Sequence, residues 1–147
     1  MGAIMNHKAF VLVVGLMVIA ASAPWAGEPD QDERGKAYVS TAKTAVVLRD
    51  DLSTIRGKEA NVMRLELPPG WVGERHYHTG DVFVYVLEGK FVVDVDGEDR
   101  KVFGPGEVYH EAVNTPMRAR NASTTERTRL ILFQVGDKGE PLMMKAD

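Results

Sequence analysis

With 147 residues and no cysteine, the chain has room for one domain and no means of building a disulfide framework. Its core must hold it together, as a core can in a domain of this size. A formal net charge of −3, with acidic and basic residues interspersed, argues against a nucleic-acid surface.

The chain opens with Met1 to Lys8, an apolar run from Ala9 to Ala23, and the small residues Ala21-Ser-Ala23 and Pro24-Trp-Ala26. This order reads as a secretory signal peptide over residues 1–26, cleaved after Ala26. The apolar run is shorter than the roughly 20 residues of a spanning helix. The mature protein is therefore expected in the periplasm or secreted, without stable membrane association. The absence of cysteine excludes a lipid anchor on a cysteine at the new N-terminus. Residues 27–37 are polar and read as a flexible lead-in, and 38–147 as the folded domain.

From Tyr38 onward the pattern is one of short strands. Thr44-Ala-Val-Val-Leu48 is β-branched, and Asp50 to Gly57 reads as a loop. Val62 to Leu67 alternates, with Met63, Leu65 and Leu67 on one face and Arg64 and Glu66 on the other. Pro68-Pro-Gly70 ends it. Val82 to Leu87 follows, and Lys90 to Val95 is expected to pair back on it through Glu88-Gly89. Asp96-Gly97 signals a hairpin into Arg100 to Phe103, and Gly104-Pro-Gly106 a tight turn. Glu107 to Glu111, Met117 to Asn121 and Thr128 to Val135 complete the strands. No long amphipathic helix follows the leader. Many short strands at regular spacing imply an all-β sandwich or barrel, a pattern that does not by itself choose between an immunoglobulin-like sandwich and a jelly roll.

The segment Gly70-Trp-Val-Gly-Glu-Arg-His76-Tyr-His78 narrows the choice. Two histidines at i, i+2 on an extended segment share a face, and two imidazoles side by side can share a metal ion. The frame resembles the first motif of the cupin superfamily: glycine, five residues, H-x-H, three or four residues, glutamate, six residues, glycine. Gly70, His76, His78 and Gly89 fall in register. The glutamate position is Val82 or Phe83 and does not match. The second motif fits from Gly106 without a gap, with Ala112 at its proline, Asn114 at its glycine, Met117 at its histidine and Asn121 at its asparagine. The resemblance implies an all-β, cupin-type jelly-roll β-barrel, and a homodimer formed through sheet faces.

By that resemblance the metal set would be three histidines and a glutamate, of which His76 and His78 remain. Transition-metal sites generally use three or more protein ligands. Glu111, six residues before Met117 on the strand leading into the same loop, is the candidate substitute, as metal ligand or as catalytic general base; the alternative is a solvated strand residue. His110 should face the opposite way from Glu111. Asp81 reads as a turn residue, Met117 as a core filler or a soft ligand suited to copper, and Asn121 as a turn-fixing residue. Arg75 is expected to face away from the site, and Trp71 to pack over the rim.

Two functional readings stand. In one, an exported enzyme holds a divalent iron, manganese, zinc, nickel or copper ion on His76, His78 and Glu111. It binds a small oxygen-rich or carboxylate substrate for oxidoreductase-, isomerase- or lyase-type chemistry. In the other, a non-catalytic protein binds a small ligand or a metal at a depleted site, as the apolar Val82 and Met117 suggest. In either case imidazoles ligate only when neutral, so metal affinity falls in acid.

Overall fold

The computed structural model describes residues 35–147; the expected leader and all but the end of the lead-in lie outside the described residues. Ten strands follow in order: β1 (Lys43–Asp51), β2 (Lys58–Leu67), β3 (His76–His78), β4 (Asp81–Glu88), β5 (Phe91–Val95), β6 (Lys101–Phe103), β7 (Val108–Glu111), β8 (Met117–Asn121), β9 (Thr128–Asp137) and β10 (Met143–Lys145). There is no helix among the described residues. One sheet runs β1-β2-β9-β4-β7 and the other β10-β3-β8-β5-β6, with every paired strand antiparallel. Neighbours distant in sequence, such as β2 with β9 and β3 with β8, give the expected jelly roll.

The two-residue period decides which side chains go inside. Strand β4 buries Val82, Val84 and Val86 and exposes Phe83, Tyr85 and Leu87. Strand β9 buries Thr128, Leu130, Leu132 and Gln134 in the same rhythm. Met63 and Leu67 on β2 face inward as the alternation predicts. Against them pack Phe91, Val93, Val95, Met117 and Ala119 from the second sheet, so the core lies between the sheets. The Asp96-Gly97 turn joins β5 to β6 as expected, with Glu98 N–H donating to the Val95 carbonyl at 3.2 Å.

Two features differ from the sequence reading. Strand β5 does not pair back on β4. It lies in the opposite sheet between β8 and β6, while β4 is flanked by β9 and β7. A hydrophobic run, a glycine and a second run look the same whether the chain folds back in one sheet or crosses between two. Here Gly89 makes the crossing, at φ +80° and close against the start of β9. Strand β10 was also unforeseen: three residues without alternation or β-branching carry no strand signal.

Gly89 meets two demands at once. Its left-handed φ disfavours any side chain, and a Cβ there would stand 2.5 Å from Thr128 Oγ1 and 2.7 Å from the Arg127 carbonyl. Gly97 is equally left-handed, at φ +76°, but open. Gly89→Ala should therefore lose about 3 kcal/mol of stability, against roughly 1 kcal/mol for Gly97→Ala. Urea denaturation midpoints measure both, and equal losses would show that crowding at the sheet crossing does not matter.

Candidate functional site

Strand β3 lies between β10 and β8, and its alternation turns His76 and His78 inward, 5% and 2% exposed, with Tyr77 between them facing out. Their ring centroids are 5.2 Å apart in an edge-to-face arrangement. Glu111, at the end of β7, is 3% exposed, and its Oε2 stands 3.1 Å from His78 Nε2. It lines the same cavity as both imidazoles. A solvated strand residue is thereby ruled out. Glu111 sits directly across the sheet from Val82, the inward-facing one of the two residues, Val82 and Phe83, at the motif's glutamate position. Side chains in such a cross-strand pair are neighbours, so the Glu111 carboxylate stands one strand sideways from that position at the same level of the barrel.

Each imidazole is oriented by its other nitrogen. His76 Nδ1 is 2.8 Å from the Glu74 carbonyl. His78 Nδ1 is 3.2 Å from the Leu142 carbonyl and 3.3 Å from Gln134 Oε1. All three partners are acceptors, so the network assigns the proton to Nδ1 in both rings and leaves each Nε2 with a lone pair. Histidine ligands of metal ions are commonly held in this way. Gln134 is itself fixed by donating to the Leu142 carbonyl at 2.9 Å, and the Asn114 N–H donates to the His78 carbonyl at 2.9 Å. Asn114, at the motif's glycine position, takes φ +57°, the left-handed conformation that asparagine tolerates better than most residues.

Gln134 and the Leu142 carbonyl were missed from sequence. Gln134 was findable: it follows Thr128, Leu130 and Leu132 at the inward phase of β9. A backbone carbonyl brought in by the chain after β9 has no sequence signal. The remaining candidates divide cleanly. His110 faces outward, pairing with Asp81 at 2.9 Å and stacking on Phe83; Asp81 opens β4 rather than forming a turn. Met117 is fully buried opposite His76 and fills core. Asn121 fixes the turn before β9, donating to the carbonyls of Leu67, Pro68 and Glu126 and accepting from Ser123 N–H and Thr128 Oγ1. Arg75 pairs with Asp96 outside the site. Trp71 packs against the core and donates to Thr41 Oγ1 at 2.9 Å.

The segment before β1 contributes Tyr38 and Ser40 to the cavity wall. Tyr38 N–H donates to the Met143 carbonyl at 2.9 Å, its hydroxyl accepts from Glu74 N–H at 3.2 Å, and its ring lies 5.1 Å from that of His76. Two imidazoles and a carboxylate are donors suited to a transition-metal ion. Two atoms ligating one ion at about 2.1 Å each stand roughly 3.0–3.4 Å apart, a spacing that His78 Nε2 and Glu111 Oε2 already have. Convergence of all three is not achieved: among the described residues no three His, Cys, Asp or Glu side chains close on one point.

Burial pushes the His76 pKa below its ordinary value, and the neighbouring His78 adds to this; the Glu74 carbonyl and Glu111 oppose it less strongly. A depressed histidine pKa means that the unfolded chain binds the proton first. The contribution is therefore intact above pH 6.5, the unfolded histidine's value, and is lost as pH falls toward the folded one. In chelator-treated protein, the melting temperature should fall more steeply below this pH for the wild type than for His76→Asn. Superimposable curves would assign the acid sensitivity to other groups.

A family model described as a cupin domain matches residues 63–133, while no curated protein matches the chain in sequence. Similar solved structures include a protein with a double-stranded β-helix domain from Klebsiella pneumoniae, 17% identical over 79% of this chain and 93% of that one, with a TM-score of 0.57. A cupin-like protein from Thermotoga maritima is 20% identical over 72% of this chain and 80% of its own, with a TM-score of 0.54. The DMSP lyase DddQ from Ruegeria pomeroyi is 16% identical over 59% of this chain, with a TM-score of 0.53; the match spans only 43% of the lyase. Identities this low show the fold alone. Residues 63–133 thus match a cupin domain, and the two antiparallel sheets of the described residues have the all-β cupin fold.

Proposed function

We propose that this chain is an exported cupin that holds a divalent transition-metal ion on His76, His78 and Glu111, and binds a small molecule in the cavity beside them. The observation that carries the reading is the buried contact of His78 Nε2 with Glu111 Oε2 at 3.1 Å. A carboxylate and an imidazole out of water, with the imidazole's other nitrogen tied back, share either a proton or a cation. A bound ion would act as a Lewis acid on a ligand oxygen. The chain's own residues supply the rest. The Nδ1 hydrogen bonds aim the rings, the apolar walls exclude water, and Glu111 would serve either as a ligand or, unligated, as the base that takes a proton from a bound molecule. Lyase-type chemistry fits such a base, and DMSP lyases are among the solved structures of similar fold; the substrate is left open by that analogy.

A second reading, a non-catalytic binding protein, is favoured by the incomplete convergence of the three donors and by the apolar side chains at Val82 and Met117. Elemental analysis separates the two. Protein purified from its exported form without chelator should carry about one ion per chain, lost in His76→Ala/His78→Ala and at least about tenfold weaker in Glu111→Gln. No ion bound, and none taken up on titration, would sink the metal reading. Mapping the mature N-terminus to Gly27 on the same sample tests export.

We also propose that a second copy of this chain covers the outer face of the β1-containing sheet. The water-facing side of an antiparallel sheet is ordinarily polar. Here Leu48, Val62, Phe133 and Phe83 form one row across four strands, ending at His110, and Leu48 and Phe83 are 50% and 40% exposed. Sedimentation velocity should give twice the chain mass for the wild type and the single-chain mass for Phe83→Lys/Phe133→Lys, with an unchanged circular dichroism spectrum. A monomeric wild type would overturn this.

A further inference from the structure

The cavity beside His76, His78 and Glu111 has a chemical character that its polar end conceals. Its walls are Met63, Leu65, Leu67, Phe91, Leu130 and Leu132, with Trp71 toward the rim. The remaining polar side chains on it are Tyr38, Ser40 and Thr44. Among the described residues no lysine or arginine lines it, and the one acidic side chain, Glu111, is buried there.

An anion entering this space would leave water, meet a carboxylate and find no lysine or arginine to answer its charge. Burial of an unpaired charge is among the most costly events in a protein interior. A neutral body meets only compatible walls, and one hydroxyl or carbonyl on it can reach the polar end. Resting on the reading of this cavity as the functional site, we propose that its ligand is a neutral, predominantly apolar small molecule with a single polar head, and not a carboxylate or a phosphate. The cavity lined in part by Tyr38 and Ser40 holds about 60 Å³, less than the roughly 150 Å³ apolar cavity that accepts benzene. Compact guests fit as the site stands, and an aromatic one displaces the segment before β1.

Matched pairs test this directly: isobutanol against isobutyrate, and benzyl alcohol against benzoate, each titrated calorimetrically into metal-free and into zinc-treated protein. In metal-free protein the alcohol of at least one pair should bind about tenfold or more tighter than its acid, because there the acid must shed its hydration for no partner; in zinc-treated protein, where an ion would answer part of the acid's charge, the alcohol should keep the advantage by a smaller margin. Leu132→Phe, which fills the cavity, should abolish that binding, and Leu132→Met should keep it. Should the Phe variant not fold, NMR contacts from the alcohol to the Leu130 and Leu132 methyls give the same localisation. An acid that binds as tightly as its alcohol in either preparation overturns the inference, as does binding that survives Leu132→Phe or binding of neither alcohol up to its solubility. Tight acid binding confined to the zinc-treated protein overturns it while leaving the metal reading intact. Alcohol preference in a protein that takes up no zinc leaves it standing and removes the metal reading.

Discussion

A carboxyl group inside an apolar barrel is tolerated only when a polar partner meets it, and Glu111 meets His78 Nε2 across 3.1 Å, a spacing at which the two share a proton or a cation. Much of the site follows from satisfying that pair. His78 can turn Nε2 to Glu111 because Gln134 and the Leu142 carbonyl take its Nδ1 proton. Leu142 is in place because β10 adds to the edge of β3, pairing Met143 with His78. The segment from Ala37 to Tyr38 then docks on β10 in turn and brings Tyr38 over His76. One buried polar contact thus ties together strands from both sheets and the two ends of the described chain.

The same alternation that builds the core separates the inner chemistry from the outer surface. On β4, Val82, Val84 and Val86 face the cavity side while Phe83, Tyr85 and Leu87 face out; on β7, Glu111 turns in and His110 turns out. A single-residue change of register would exchange the two sets, placing His110 inside and Glu111 in water. The antiparallel partner strands hold that register across Val82 and Glu111 and across Phe83 and His110. The inner site and the apolar outer face are therefore two consequences of one pairing pattern.

The departures from the motif are also connected in space. Val82, the inward-facing residue at the motif's glutamate position, is the cross-strand partner of Glu111, and Met117, where a histidine is missing, is the cross-strand partner of His76. Beside Val82, Glu111 supplies a carboxylate to the cavity from the neighbouring strand. Met117 fills core volume and supplies no such donor. The polar end of the cavity is left with two imidazoles and one carboxylate, set against walls of leucine, methionine, valine and phenylalanine. That combination is less polar than the full motif implies and bears directly on which molecules could enter.

Much of this was legible in the chain as a string of residues, because period-two alternation reports which face of a strand is buried wherever the strand lies. Alternation paired Met63 with Leu65 and Leu67, turned His76 and His78 to one side, and set His110 opposite Glu111. Glycine and Asp-Gly signals marked the turns because left-handed backbone demands those residues. What the string does not carry is the partner of each strand. The switch of β5 to the opposite sheet, the addition of β10 beside β3, the Leu142 carbonyl on His78 and the approach of Glu111 to that ring all arise from contacts between segments far apart in sequence. Their geometry is settled only when the two sheets close on a common core, since hydrogen bonds between strands are made by backbone groups that every residue shares.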